Sequence, residues 1–246
     1  MMKEPRVAVV TGGVAGIGRA LTERLASDGF AIAVADKSDP SSLVEALHSQ
    51  GVKAFGQICD VSSPDDVRAF AEATLGRFGH VDVLVMNAGI YPVSAFVDMT
   101  WAEWDRVFSI NVDQLFHFTK AFLPGMLDRK WGRIVCISST TFHAGVPMQS
   151  HYVASKGAVI GFARALAAEV GESGITVNTI APGLVRTENT AAGTQSGLFD
   201  ALAAQQAIKR TEEPADLVGP LSFLVSEDAA FITGQTLIVD GGWVRT

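Results

Sequence analysis

The chain has 246 residues, 48% of them apolar and 18% charged, with a formal net charge of −7. This length suits one large α/β domain or at most two small ones, and the apolar share excludes wholesale disorder. The acidic balance argues against a nucleic-acid partner, which calls for a basic face, and no stretch approaches the roughly 20 apolar residues of a membrane span.

Taken in order, Arg6–Thr11 is a short apolar, β-rich run followed by Gly12, Gly13, Gly16 and Gly18. No apolar run of signal-peptide length precedes it. An amphipathic segment from Ile17 to Ala26 completes a pattern of strand, glycine turn and helix. Phe30–Ala35 reads as a strand ending at Asp36, Ser41–Gly51 as a helix, and Lys53–Ile58 as a strand closing on Cys59 and Asp60. Pro64–Phe78 reads as a helix and Val81–Met86 as a strand ending in Asn87-Ala88-Gly89. A single long helical pattern fills Trp101–Met126. Gly132–Ile137 is a strand that runs into Ser138 and Ser139.

His151–Gly171 is helical, and Thr176–Ile180 is a strand ending at Ala181-Pro182-Gly183. Residues 184–212 are polar and small with weak periodicity, and read as a partly helical insertion. Glu213–Leu224 is a helix and Thr236–Val239 a last strand. Strands alternating with helices predict right-handed βαβ units. The expected fold is α/β, a single Rossmann-type domain over 1–246, with a doubly wound parallel sheet of seven strands and helices on both faces. Cys59 and Cys136 lie in apolar runs and read as buried free thiols rather than a disulfide or a metal site. That suits a reducing, cytoplasmic compartment.

In such sheets ligands bind beyond the C-terminal ends of the strands. The conspicuous polar residues and glycines all fall there: Thr11-Gly12, Asp36, Asp60, Asn87, Ser138-Ser139 and Pro182-Gly183. The spacing Thr11-Gly12-x-x-x-Gly16-x-Gly18 reads as a pyrophosphate cradle or, taken alone, as a plain tight turn. Asp36, 18 residues past Gly18, is placed to accept from an adenosine ribose diol and to repel a 2′-phosphate, which favours NAD over NADP. Asp60 and Asn87, taken alone, read as turn caps.

Tyr152 and Lys156 stand at i and i+4 of a predicted helix and so share a face. A phenol has a reference pKa of about 10, and a nearby ammonium favours its ionised form. Bringing that value to about 7 takes roughly 4 kcal/mol of differential stabilisation.

The ordered set TGGVAGIG, Asp60-Val61, Asn87-Ala88-Gly89, Asn111, Ser139, Tyr152-x-x-x-Lys156, Pro182-Gly183 and ITGQTLIVDGG resembles the short-chain dehydrogenase/reductases over essentially the whole chain. Met86 departs from the commonest pattern, which has an asparagine there.

The resemblance implies a catalytic tetrad of Asn111, Ser139, Tyr152 and Lys156. In it Tyr152 is the acid/base, and Lys156 lowers its pKa and holds the nicotinamide ribose. Ser139, favoured over Ser138 by its thirteen-residue spacing to Tyr152, bonds the substrate oxygen. Asn111 holds a water leading from Lys156 to solvent; read alone, it is a helix-interior asparagine bonding backbone. The resemblance also implies cofactor contacts from Gly12, Gly16, Ile17, Gly18, Asp36, Asp60, Val61, Asn87, Ala88, Gly89, Pro182, Gly183, Val185 and Thr187, with Thr187 on the carboxamide.

The substrate cleft is expected between 90–92, 140–150 and 184–212. Tyr91, His143, Met148, Leu184 and Phe199 are candidate contacts, and Phe142 and Val146 further apolar ones. A mostly apolar wall suits a small, aromatic secondary alcohol or ketone. The stretches STTFHAG, PGLVRT and FITGQTLIVDGGWVRT are similar to those of (S)-1-phenylethanol and pyridoxal 4-dehydrogenases. The alternative is a 3-oxoacyl thioester on acyl carrier protein, or a pyridoxal or sugar alcohol. The family also implies a homotetramer, with Phe223, Leu224, Phe231 and Trp243 as candidate interface residues. No metal constellation is visible.

Overall fold

A computed structural model describes residues 4–193 and 197–245. All seven strands join one parallel sheet: β1 (Val7–Thr11), β2 (Ala31–Asp36), β3 (Ala54–Ile58), β4 (Val83–Met86), β5 (Gly132–Ile137), β6 (Ile175–Pro182) and β7 (Thr236–Val239). Their spatial order is β3-β2-β1-β4-β5-β6-β7. The chain therefore winds outward from β1 in one direction and then from β4 in the other. The Rossmann-type doubly wound sheet is as expected, and its switch point lies between β1 and β4.

The inner strands are largely apolar and buried because both faces of the sheet are covered, while the edge strands β3 and β7 are partly exposed. Side chains alternate between two cores. Val7 and Val9 of β1 face a core with Phe70, Phe118 and Phe122, whereas Ala8 and Val10 face one with Leu21, Leu25 and Leu221. The first core is closed by α3 (Pro64–Phe78), α5 (Asp113–Arg129) and α7 (Ser150–Val170). The second is closed by α1 (Gly16–Ser27), α2 (Ser41–Ser49) and α10 (Ala215–Leu224).

Local signals set the helix ends. In α3, the Ser63 hydroxyl accepts from the Asp66 N–H, Pro64 opens the first turn, and Gly79 closes the helix at φ 77°. Thr100 and Glu103 form a reciprocal capping box at the start of α4 (Trp101–Asn111).

Two readings change. The single helix expected over Trp101–Met126 is two, α4 and α5, divided at Val112. The Asn111 side chain there bonds main chain outside the helix, at Ile90. Residues 184–212 hold two short helices, α8 (Glu188–Gly193) and α9 (Leu198–Gln205), and 194–196 of that segment lie outside the described residues. A one-turn helix, α6 (Thr141–Ala144), also follows Thr140.

Leu224 is corrected as an interface candidate: it is 2% exposed and packs in its own core, whereas Phe223 and Phe231 face outward. Among the described residues no helix is long and apolar enough to cross a membrane, and no group of three or more His, Cys, Asp or Glu could hold a metal.

Candidate active site

The loop after β1 is shaped by close approach. Gly12 and Gly16 have φ of 65° and 54°, the left-handed region where a side chain is strained. A Cβ on Gly18 would lie 1.8 Å from the Gly12 carbonyl, so only glycine lets α1 start against the loop. The first turn of α1 has no side-chain cap from Ala15 and no acidic residue. Its free N–H groups and positive dipole end are open to an anion. A dinucleotide pyrophosphate fits these residues.

Asp36 lies at the mouth of this loop. One carboxylate oxygen accepts the Val14 N–H at 2.9 Å and the other the Ser38 N–H at 2.8 Å. Each keeps lone pairs for a diol. Asp60 accepts from the Ser62 N–H and hydroxyl and pairs with Lys37 at 3.3 Å, which holds its carboxyl below the usual range. Val61 is 6% exposed and packs in the core, so only its main chain can face a cofactor. Ile17 packs part-buried on the other core.

The ends of β1 and β4 are tied by polar groups, of which the sequence reading missed Gln114. The Thr11 hydroxyl accepts from the Asn87 and Ala88 N–H groups and donates to Gln114. The Asn87 amide donates to the carbonyls of Thr11 and Gly12. Gln114 donates to the Ala88 and Ile110 carbonyls. The signal was present: Gln114 is a polar residue in an apolar helix, and it is 1% exposed.

At the end of β5 the two serines separate. Ser138 donates to the Lys156 carbonyl at 2.9 Å and is structural. Ser139 stands by the Tyr152 phenol and favours its ionised form. Its hydroxyl accepts from the N–H and hydroxyl of Thr141. On α7, Lys156 Nζ lies 5.6 Å from the Tyr152 ring centroid and donates to the Ile137 carbonyl at 2.8 Å. A Cβ on Gly89 would meet Asn111 Oδ1 at 3.2 Å and Lys156 Nζ at 3.5 Å, so these two side chains converge beside the Gly89 main chain.

Asn111 accepts the Ile90 N–H and donates to the Ile90 carbonyl and the Ser155 hydroxyl. Both amide hydrogens are committed, which leaves the oxygen's second lone pair for a water.

The expected lowering of the Tyr152 pKa by Lys156 is corrected. Burial pushes the phenol up to about 12, with Tyr91 adding to the rise and Ser139 opposing it. Burial also depresses Lys156 to about 8. Desolvation leads both shifts.

Beyond β6, Pro182 accepts from the N–H and hydroxyl of Thr140. Val185 is buried and its main chain bridges Glu212. Thr187 caps α8 through Thr190 and stands against the glycine loop: a Cβ on Gly16 would meet its methyl at 3.2 Å.

The cleft walls join where Ser94 N–H donates to the Met148 carbonyl at 2.8 Å. Tyr91 meets Tyr152 edge-on at 6.4 Å. Tyr91, Phe142 and Met148 are exposed, Met148 with φ 60°, and Leu184 is half-buried. His143 has a buried, unpartnered Nε2. Phe199 lies farther along the chain, beneath the Arg186 guanidinium at 4.7 Å. The two thiols are free and buried, each pushed up to about 12 by desolvation, and are poor nucleophiles.

A family model described as enoyl-(acyl carrier protein) reductase matches residues 13–244. A 3-oxoacyl-(acyl-carrier-protein) reductase of Staphylococcus epidermidis is 37% identical over 238 residues, covering 96% of this chain and 97% of the relative. One from Vibrio cholerae is 36% identical, covering 98% of each. The crystal structure of gox2181 superposes with a TM-score of 0.93 at 32% identity, covering 98% of this chain and 96% of the other. With 96–98% of the chain matched and the ordered motifs brought to one end of one sheet, the protein belongs to the short-chain dehydrogenase/reductase family.

Proposed function

We propose that the protein is a nicotinamide-dependent oxidoreductase that interconverts a secondary alcohol and its ketone. The observation that carries this is the approach of Ser139 and Lys156 to the Tyr152 ring, with Lys156 and Asn111 meeting beside Gly89 at the end of β4, next to the glycine loop of β1. A bound nicotinamide supplies the hydride acceptor for oxidation or the donor for reduction. In reduction the Tyr152 phenol gives its proton to the substrate oxygen as the carbon receives hydride, and in oxidation its ionised form would take the hydroxyl proton as the carbon gives up its hydride. Ser139 hydrogen-bonds the substrate oxygen, and Lys156 places positive charge beside the phenol. Asn111 positions the Ile90 main chain and Ser155. Proton transfer by a placed side chain contributes typically 10²–10⁴-fold.

For the substrate, a 3-oxoacyl thioester is the leading reading. It is supported by the names of the relatives at 36–37% identity over nearly the whole chain. The second reading is a small, aromatic secondary alcohol with NAD, in line with the sequence resemblance to 1-phenylethanol and pyridoxal dehydrogenases. Asp36 favours it, since its carboxylate at the loop mouth opposes a 2′-phosphate, as do the exposed apolar Tyr91, Phe142 and Met148. A homotetramer fits the outward Phe223 and Phe231, and a cytoplasmic location fits the free thiols.

The test follows absorbance at 340 nm with NADH and with NADPH. The substrates are an acetoacetyl thioester, acetophenone-type ketones and pyridoxal. A higher kcat/KM with the thioester supports the leading reading. A higher value with an aryl ketone and NADH supports the second. No turnover with any carbonyl or alcohol sinks both.

A further inference from the structure

Glu212 is outside the candidate tetrad and was not singled out by the sequence. Its side chain is 4% exposed. One carboxyl oxygen accepts the Gly183 N–H at 2.9 Å, where the main chain leaves β6 toward Val185 and Thr187. A Cβ on Gly183 would sit 2.7 Å from that oxygen, so glycine is what admits the carboxyl. The residue's own main chain bridges Val185 and accepts the Arg186 N–H. Glu212 thus fastens the 183–187 segment through both side chain and backbone.

Its other oxygen, Oε1, is buried with no partner. So is Oε1 of Gln206, the residue that follows α9 and is 4% exposed. Both residues line the same cavity. Gln206 packs against Gly241, where a Cβ would lie 3.3 Å from the amide oxygen. Two orphaned acceptors facing one enclosed space are costly. A single proton on the carboxyl resolves both, because Glu212 then donates toward Gln206 directly or through one water while still accepting from Gly183.

The charged groups around it agree. Asp216 of α10 and Asp240 after β7 both oppose a second negative charge, and Arg210 favours one. Arg210 is spent on Asp216, with two bonds at 2.6 and 2.7 Å. Burial pushes Glu212 up to about 8, with the Gly183 N–H opposing the rise and the two carboxylates adding to it.

We infer that Glu212 is a positioning residue that, in its protonated form, latches the 183–187 segment of the cofactor site to the end of α9, and that its ionisation releases this latch. This rests on the proposed nicotinamide-dependent activity. The linkage sign is that of a raised pKa: the contribution is full below about 4.5, and is lost as pH rises through about 8. Lys156 also titrates near 8, so wild-type turnover alone does not separate the two.

The experiment is a fluorescence titration of NADH into wild type, Glu212→Gln and Gln206→Leu at about pH 6.5 and about pH 9.5. A coupling of this kind weakens wild-type binding roughly fivefold or more between the two pH values. Glu212→Gln cannot ionise and loses most of that pH dependence. Gln206→Leu removes the latch's partner, and its low-pH affinity drops toward the wild-type high-pH value. If the Glu212→Gln profile superimposes on wild type, the latch is overturned while the proposed function stands. If wild type binds neither NADH nor NADPH at either pH, the proposed function falls and the latch with it.

Discussion

Lys156 Nζ donates to the Ile137 carbonyl at 2.8 Å, which holds the ammonium over the end of β5 with the Tyr152 ring 5.6 Å away. The site keeps this charge at a cost to the fold. Burial depresses Lys156 from 10.5 to about 8, equivalent to about 3 kcal/mol against the charged form at neutral pH. A Lys156→Met variant sheds that cost and loses one hydrogen bond worth about 1 kcal/mol. It is expected to be inactive yet to melt a few degrees higher than wild type. Between about pH 8 and 10.5 the unfolded chain keeps the Lys156 proton that the native one has lost, so wild-type stability rises with pH relative to that of Lys156→Met, the two thiols being common to both. Thermal melts at both ends of that window check the sign, and a lower melting temperature for the variant at pH 7 contradicts it.

Tyr152→Phe removes only the phenolic oxygen. Turnover is expected to fall by about 10² or more, the range for loss of a general acid/base. NADH affinity and melting temperature should stay near wild type, because the ring's edge contact with Tyr91 remains. Residual turnover above about a tenth of wild type would falsify the assignment of proton transfer to Tyr152.

The inner strands β1, β2, β4, β5 and β6 were legible because they are largely apolar runs buried on both faces, whereas the edge strands β3 and β7 are only partly buried and were legible from the glycine and polar turns that bound them. The break at Asn111 was not, since Trp101–Met126 keeps helical periodicity straight through it. What divides it is a contact with Ile90, 21 residues away. Ser139 was distinguished from Ser138 by family spacing alone; the physical reason, Ser138 bonding the Lys156 carbonyl, exists only in three dimensions. The direction of the Tyr152 shift was misjudged for the same reason. The i, i+4 spacing places an ammonium near the phenol but does not report how much water either group has lost. Glu212 was invisible because an acidic residue in a polar segment reads as solvated.

Asp36 should decide the cofactor. Asp36→Asn keeps an acceptor for one of the Val14 and Ser38 N–H groups and removes the charge. Loss of repulsion toward a 2′-phosphate is worth about 1–4 kcal/mol at close range. The ratio of kcat/KM for NADP(H) over NAD(H) is expected to rise about tenfold. An unchanged ratio, with the variant still folded, would show that Asp36 does not face the ribose.

Gly18 and Gly76 are both helical, and their substitution by alanine separates cofactor geometry from propensity. At Gly76 in α3 an added Cβ meets nothing within 4 Å, so Gly76→Ala should stabilise by about 0.5–1 kcal/mol and leave NADH affinity unchanged. At Gly18 the same methyl would lie 1.8 Å from the Gly12 carbonyl and 2.5 Å from the Asn87 amide. Neither can yield cheaply. The carbonyl is backbone, and the amide is committed to Thr11 and Gly12. The start of α1 must therefore move away from β1 and β4, carrying its free N–H groups off the pyrophosphate position. Gly18→Ala is expected to weaken NADH binding more than about tenfold and to lower the melting temperature. Any folded fraction should still show the helix content of wild type by circular dichroism, since alanine favours the helix interior. Wild-type NADH affinity in Gly18→Ala would mean that the loop, and not the helix start, receives the phosphates.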